Sequence, residues 1–144
     1  MAESRFVYVT YIRTTPQKLW EALTTTEFMK AYLFGFTFDT NWKQGSPWRM
    51  VQPKGAVTDA GEILAIEPPR RLELSWRHED DPEAKAEGYG RCLFEVAPAG
   101  EASRLTVTHT MPVENSRTIA MISEGWPQIL SNLKSLLETG KTAM

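Results

Sequence analysis

In the run RRLELSWRH, Leu72, Leu74, Trp76 and His78 alternate with Arg71, Glu73, Ser75 and Arg77. A period of two places the first set on one face of an extended strand and the second on the other, so one face is covered and one is wet. The pattern returns twice downstream: Cys92, Phe94 and Val96 oppose Arg91 and Glu95, and Leu105, Val107, His109 and Met111 oppose Thr106, Thr108 and Thr110. Strands of this kind, divided by short turn-forming stretches, build an antiparallel sheet whose apolar face needs a second layer.

The chain supplies that layer at its C-terminal end. Along SEGWPQILSNLKSLLETG, a rotation of roughly 100° per residue from Ile122 gathers Trp126, Ile129, Leu130, Leu133, Leu136 and Leu137 in one stripe. Gln128, Ser131, Lys134, Ser135 and Glu138 fall outside it. Gly140 suits a left-handed cap. Pro127 lacks an amide hydrogen, which leaves two arrangements: the long helix starts at Pro127, or a short preceding helix meets it at a kink that Gly125 relieves.

The opening of the chain completes the layout. Residues 5–13, RFVYVTYIR, form a strand with Phe6, Tyr8, Thr10 and Ile12 on one face. Thr14-Thr15-Pro16 then reads as an N-cap followed by proline at the first helical position. Leu19, Trp20 and Leu23 are that helix's buried stripe, and after three threonines EFMKAYLF is a second short helix ended by Gly35. Strands follow at about 36–40, 46–52, 56–66, 70–78, 90–97 and 103–111, with the acidic stretch EDDPEAKAEG read as a solvated loop able to gate a pocket.

Composition narrows the function classes. With 144 residues, 42% of them hydrophobic, the chain is expected to form one domain over 1–144. A formal net charge of -2, without a basic cluster, argues against nucleic acid as a partner. Cys92 is the only cysteine, so no internal disulfide and no zinc-type spacing exists, and a reduced cytoplasm fits. Neither a signal peptide nor a membrane span is expected, nor any cofactor or metal.

The order of strand, two short helices, antiparallel meander and long C-terminal helix is the α+β helix-grip arrangement: a curved antiparallel sheet wrapped around the last helix. The blocks TPQKLWEALTTTEFMKAYLFG, NWKQGSPWRM, GEILAIEPPRRLELSW, FEVAPAGEASRLTVTHTM and GWPQILSNLKSLLETG resemble the bacterial AHSA1-type proteins of the START and Bet v 1-like (SRPBCC) superfamily, from about Arg5 to Gly140. Ser46 stands where members often have a second glycine. The resemblance implies a cavity between sheet and helix that takes a lipid, sterol, polyketide or other apolar molecule, and a minority of members are cyclases, hydrolases or dehydratases. Homodimers are frequent in the family. The eukaryotic activator that names it uses a further N-terminal domain to engage Hsp90, so an Hsp90 interaction is not expected here.

The candidate ligand-binding residues are those on inward faces: Tyr32, Phe34, Trp48, Met50, Leu74, Trp76, His78, Phe94, His109, Met111, Ile122, Trp126 and Ile129. Aromatic rings and methionines suit a flat or aliphatic ligand, and a cavity below about 300 Å³ lined only by interlocked side chains would rule a binder out. Three readings compete. The favoured one is a non-catalytic binder of a small hydrophobic or aromatic molecule. The second is an enzyme with His109 as acid or base, which requires His109 to face open space. The third is a protein-interaction module, in stress response or beside a chaperone, which requires an exposed apolar patch. Carboxylates are scattered, and Cys92 is expected to be a buried structural thiol.

Overall fold

A computed structural model describes residues 3–144. The element order is β1 (Ser4–Ile12), α1 (Pro16–Thr24), α2 (Thr26–Tyr32), β2 (Thr37–Thr40), β3 (Pro47–Val51), β4 (Val57–Glu67), β5 (Arg71–His78), α3 (Pro82–Ala86), β6 (Gly90–Ala99), β7 (Ala102–Met111) and α4 (Arg117–Thr139). All seven strands join one antiparallel sheet in the order β1-β7-β6-β5-β4-β3-β2. This is the helix-grip fold anticipated from the order of elements. Leu72, Leu74, Trp76, Cys92, Phe94, Val96, Leu105 and Val107 are buried on the concave face, against Trp126, Leu130 and Leu133 of α4.

Local chemistry sets the element ends. Thr15 caps α1 by accepting the Lys18 amide, with proline next in line. α2 stops two residues earlier than its sequence suggests. The Gly35 amide reaches back to the Lys30 carbonyl at 3.0 Å, so both Phe34 (φ 55°) and Gly35 (φ 87°) take left-handed backbone. In the turn before β3, Gly45 carries the positive φ, 86°, and Ser46 does not, so serine is accommodated there.

Two features depart from the sequence expectation. The acidic connection holds a one-turn helix, α3, whose Asp81 cap accepts the Ala84 amide at 3.0 Å. And α4 is one helix from Arg117, capped by Ser116, through Pro127 to Thr139, neither starting at the proline nor divided into two helices there. Proline removes a single backbone bond there, while packing of Ile122 and Trp126 before it and Leu130 and Leu133 after it holds both halves on the same sheet.

The start of α4 is clamped. Glu87 accepts from Ser116 Oγ at 2.7 Å, from the Arg117 amide at 2.7 Å and from the Thr118 amide at 3.2 Å, while Arg117 donates twice to Asp81, at 2.9 and 2.7 Å. A carboxylate on the unpaired amides of a helix start is favoured by hydrogen bonding and by the helix dipole together. Glu87→Ala is expected to lower stability by about 2 kcal/mol, read as a lower urea midpoint at unchanged m. An unchanged midpoint would mean that Ser116 alone caps the helix.

The free edge of β1 is covered by the other end of α4. Lys134 Nζ donates to the Tyr11 carbonyl, and the Arg13 amide donates to Glu138 at 2.8 Å. Side chains thus occupy backbone groups that would otherwise template another strand. On its outer face β1 shows Val7, Val9 and Tyr11, each about half exposed, but Thr106 and Thr108 of β7 lie beside Val9 and Val7. The strip is bordered on the β7 side by these polar side chains.

Candidate functional site

Between α4 and the β3–β4–β5 end of the sheet lies a cavity of about 180 Å³, partly open to solvent. α4 contributes Met121, Ile122, Gly125, Trp126 and Ile129 as one wall. Met50 of β3, Trp76 and His78 of β5 and Asp59 of β4 form the opposite wall, and Leu33 closes the α2 side. Register brings the sheet residues together: Met50 pairs with Asp59, and Asp59 with His78. The walls are apolar except for Asp59 and His78.

Asp59 is 3% exposed, and one oxygen organises the polar corner. Its Oδ2 accepts Trp76 Nε1–H at 2.8 Å and lies 3.0 Å from His78 Nδ1. An indole nitrogen only donates, and a carboxylate only accepts, so His78 carries its proton on Nδ1 and leaves Nε2 as the free nitrogen. The Asp59 hydrogen bond raises the His78 pKa above its ordinary value, against an opposing push from burial, with Asp80 and Asp81 adding to the rise. A buried carboxylate is thereby paired and hydrogen-bonded, as its desolvation demands.

The sequence-stated candidates separate into four groups. Met50, Trp76, His78, Ile122, Trp126 and Ile129 line the cavity. Tyr32 and Phe94 line a second, enclosed void of about 20 Å³ on the other side of Trp126, too small for a ligand. Trp48, Leu74, His109 and Met111 are fully packed. Phe34 is 46% exposed, because its left-handed backbone turns it out of α2.

His109 is on the inward face as expected, but it does not face open space. Its side chain is fully buried, its ring lies 5.1 Å from that of Trp76, and Trp126 Nε1 approaches Nδ1 at 3.5 Å while Nε2 has no partner. Burial lowers its pKa to about 4. A neutral imidazole sealed behind two indoles reaches no substrate, so the His109 enzyme reading loses its support. Cys92 is likewise fully buried, and burial pushes its thiol up, away from reactivity.

Four cavity residues, Leu33, Asp59, Met121 and Gly125, were not among the candidates. Asp59 follows Thr58, and both are buried, which breaks the alternation that would have marked an inward carboxylate. Met121 sits outside the apolar stripe counted from Ile122. Gly125, expected to relieve a kink at Pro127, is an interior helical residue, and a Cβ added to it meets nothing within 4 Å. Helix interiors disfavour glycine, so an open space in front of one is informative.

Residues 13–138 match the family model described as activator of Hsp90 ATPase homolog 1-like protein. The chain belongs to this family. Solved structures agree on the fold of this AHSA1-like chain. Protein MLL2253 from Mesorhizobium loti is 25% identical with a TM-score of 0.78, over 93% of this chain and 96% of that one. The Aha1 dimer from Colwellia psychrerythraea is 18% identical with a TM-score of 0.77, over 96% and 98%. PFC0360w, an HSP90 activator from Plasmodium falciparum, is 21% identical with a TM-score of 0.75, over 92% and 95%. No curated protein matches the chain significantly. Among the described residues no group of three or more His, Cys, Asp or Glu could hold a metal ion, and no helix is long and apolar enough to cross a membrane.

Proposed function

We propose that this AHSA1-like protein binds a small, mostly apolar molecule, without catalysis, in the cavity between β3–β5 and α4. The observation that supports this reading is the cavity itself, about 180 Å³ held open opposite Gly125. It lies below the limit of roughly 300 Å³ set for a small-ligand cavity, with Trp76 and Trp126 in edge contact across part of the space, but it is partly open to solvent instead of being filled by interlocked side chains. An apolar cavity of about 150 Å³ accepts benzene, so the ligand class is narrowed to one ring or a short chain. A sterol or polycyclic polyketide would have to extend out through the open side of the cavity.

Gly125 provides the test. Replacing it by alanine removes the entropic cost of glycine in a helix and places one methyl in open space, so Gly125→Ala is expected to gain about 0.5–1 kcal/mol of stability. Gly125→Leu should fill the cavity. With toluene as the probe, followed by tryptophan fluorescence, the unmodified protein is expected to show saturable binding and Gly125→Leu to lose at least tenfold in affinity while remaining folded. Equal affinity in both proteins would contradict the reading. The Colwellia relative is a dimer, and self-association of this chain is part of the proposal, to be read by sedimentation equilibrium.

A further inference from the structure

The two polar groups of the cavity define which end of a ligand can be satisfied there, an inference that rests on the cavity reading above. Asp59 and His78 are the only titratable side chains among its lining residues, and no arginine or lysine reaches it. Asp59 Oδ2 is occupied by Trp76 Nε1–H and His78 Nδ1, whereas its other oxygen, Oδ1, has no hydrogen-bond partner among the described residues. Because Asp59 takes the Nδ1 proton, a neutral His78 presents its free Nε2 as an acceptor. With His78 neutral the corner therefore offers acceptors only; protonated, which its raised pKa favours as the pH falls, His78 offers an Nε2–H donor and a positive charge beside Asp59.

We propose that the ligand carries a hydrogen-bond-donating head, a hydroxyl or an amine, on a single ring or short chain, and that this head seats on the Asp59–His78 corner. The apolar body then lies against Trp76, Trp126 and Ile129. A site built to receive an O–H or N–H discriminates more sharply than one built for a methylene, because its acceptors stay unpaired when the donor is missing. While His78 is neutral, a carboxylate head is disfavoured twice: it brings no donor, and it adds a second negative charge beside Asp59 where water is scarce.

Four probes built on one benzene ring and differing by at most two heavy atoms separate these terms: toluene, benzyl alcohol, benzylamine and benzoate, titrated into the unmodified protein at pH 8.5 to favour neutral His78. Benzyl alcohol or benzylamine should bind about tenfold tighter than toluene, with benzoate weakest, and which donor wins tells a neutral head from a cationic one. Asp59→Asn, which removes the charge at nearly the same volume, should bring the donor probes within about threefold of toluene. Should that variant not fold, the order of the four affinities on the unmodified protein decides alone. Toluene binding as tightly as both donors, or benzoate matching them, would overturn the donor-head inference and leave the cavity reading standing. So would an unchanged preference in Asp59→Asn. No binding of any of the four would remove both.

Discussion

Gly61→Ala is expected to be the most damaging single methyl in this protein, lowering stability by about 3 kcal/mol or more. A Cβ at Gly61 would stand 1.9 Å from the Ser75 carbonyl oxygen and 2.7 Å from Trp48 Nε1. These two atoms are themselves bonded, the indole donating to the carbonyl at 2.9 Å. Relief cannot come from a side-chain rotation, since the nearer obstacle is the backbone of the neighbouring strand. β4 and β5 would have to part, or Trp48 would have to leave its stack with Phe38 (5.0 Å) and Trp76 (4.5 Å). Guanidinium denaturation measures the loss. A stability within about 1 kcal/mol of the parent protein would show that β4 bends more easily at this point than its packing implies.

Acid should destabilise the protein well before its carboxylates protonate. His109 has an ordinary value of 6.5 and a folded value of about 4, lowered by burial. A group whose folded pKa is depressed binds its proton more readily when the chain is unfolded. Its contribution is therefore complete above pH 6.5, falls as the pH drops and is exhausted near pH 4. At about 1.4 kcal/mol per pH unit the step amounts to about 3 kcal/mol. His78 acts with the opposite sign. Its folded pKa is raised, so its contribution is present below 6.5 and fades as the pH rises through its folded value. Subtracting the urea-denaturation profile of His109→Leu from that of the parent isolates the His109 step between pH 6.5 and 4. A flat difference across that window would mean that the imidazole is protonated inside the fold.

Both effects turn on positions whose face was readable and whose depth was not. The inward set on β5, β6 and β7 follows from period-two alternation, and all of Leu72, Leu74, Trp76, Cys92, Phe94, Val96, Leu105, Val107, His109 and Met111 are buried. Alternation, however, says nothing of how far along the strand the cover extends. His109 and His78 share the inward face, but only His78, near the end of β5, reaches the cavity. Asp59 needed the pairing register of three strands, Met50 to Asp59 to His78, which no local pattern carries. The one-turn helix α3 had a signal that went unused, since Asp81-Pro82 repeats the cap-and-proline arrangement of Thr15-Pro16. For α4, a local rule about proline was overridden by tertiary packing on either side of it.

Family membership and fold leave the cavity as the feature that distinguishes a binder from a filled scaffold. The most direct measurement is a two-dimensional NMR titration of the unmodified protein with toluene, following the indole N–H signals of Trp76 and Trp126 and the methyl signals of Met50, Met121, Ile122 and Ile129. Saturable shifts confined to that set, and lost in Gly125→Leu, are the predicted result. Shifts that instead appear at the exposed Val7, Val9 and Tyr11, or no saturable shift at any signal, would contradict a ligand cavity between the sheet and α4.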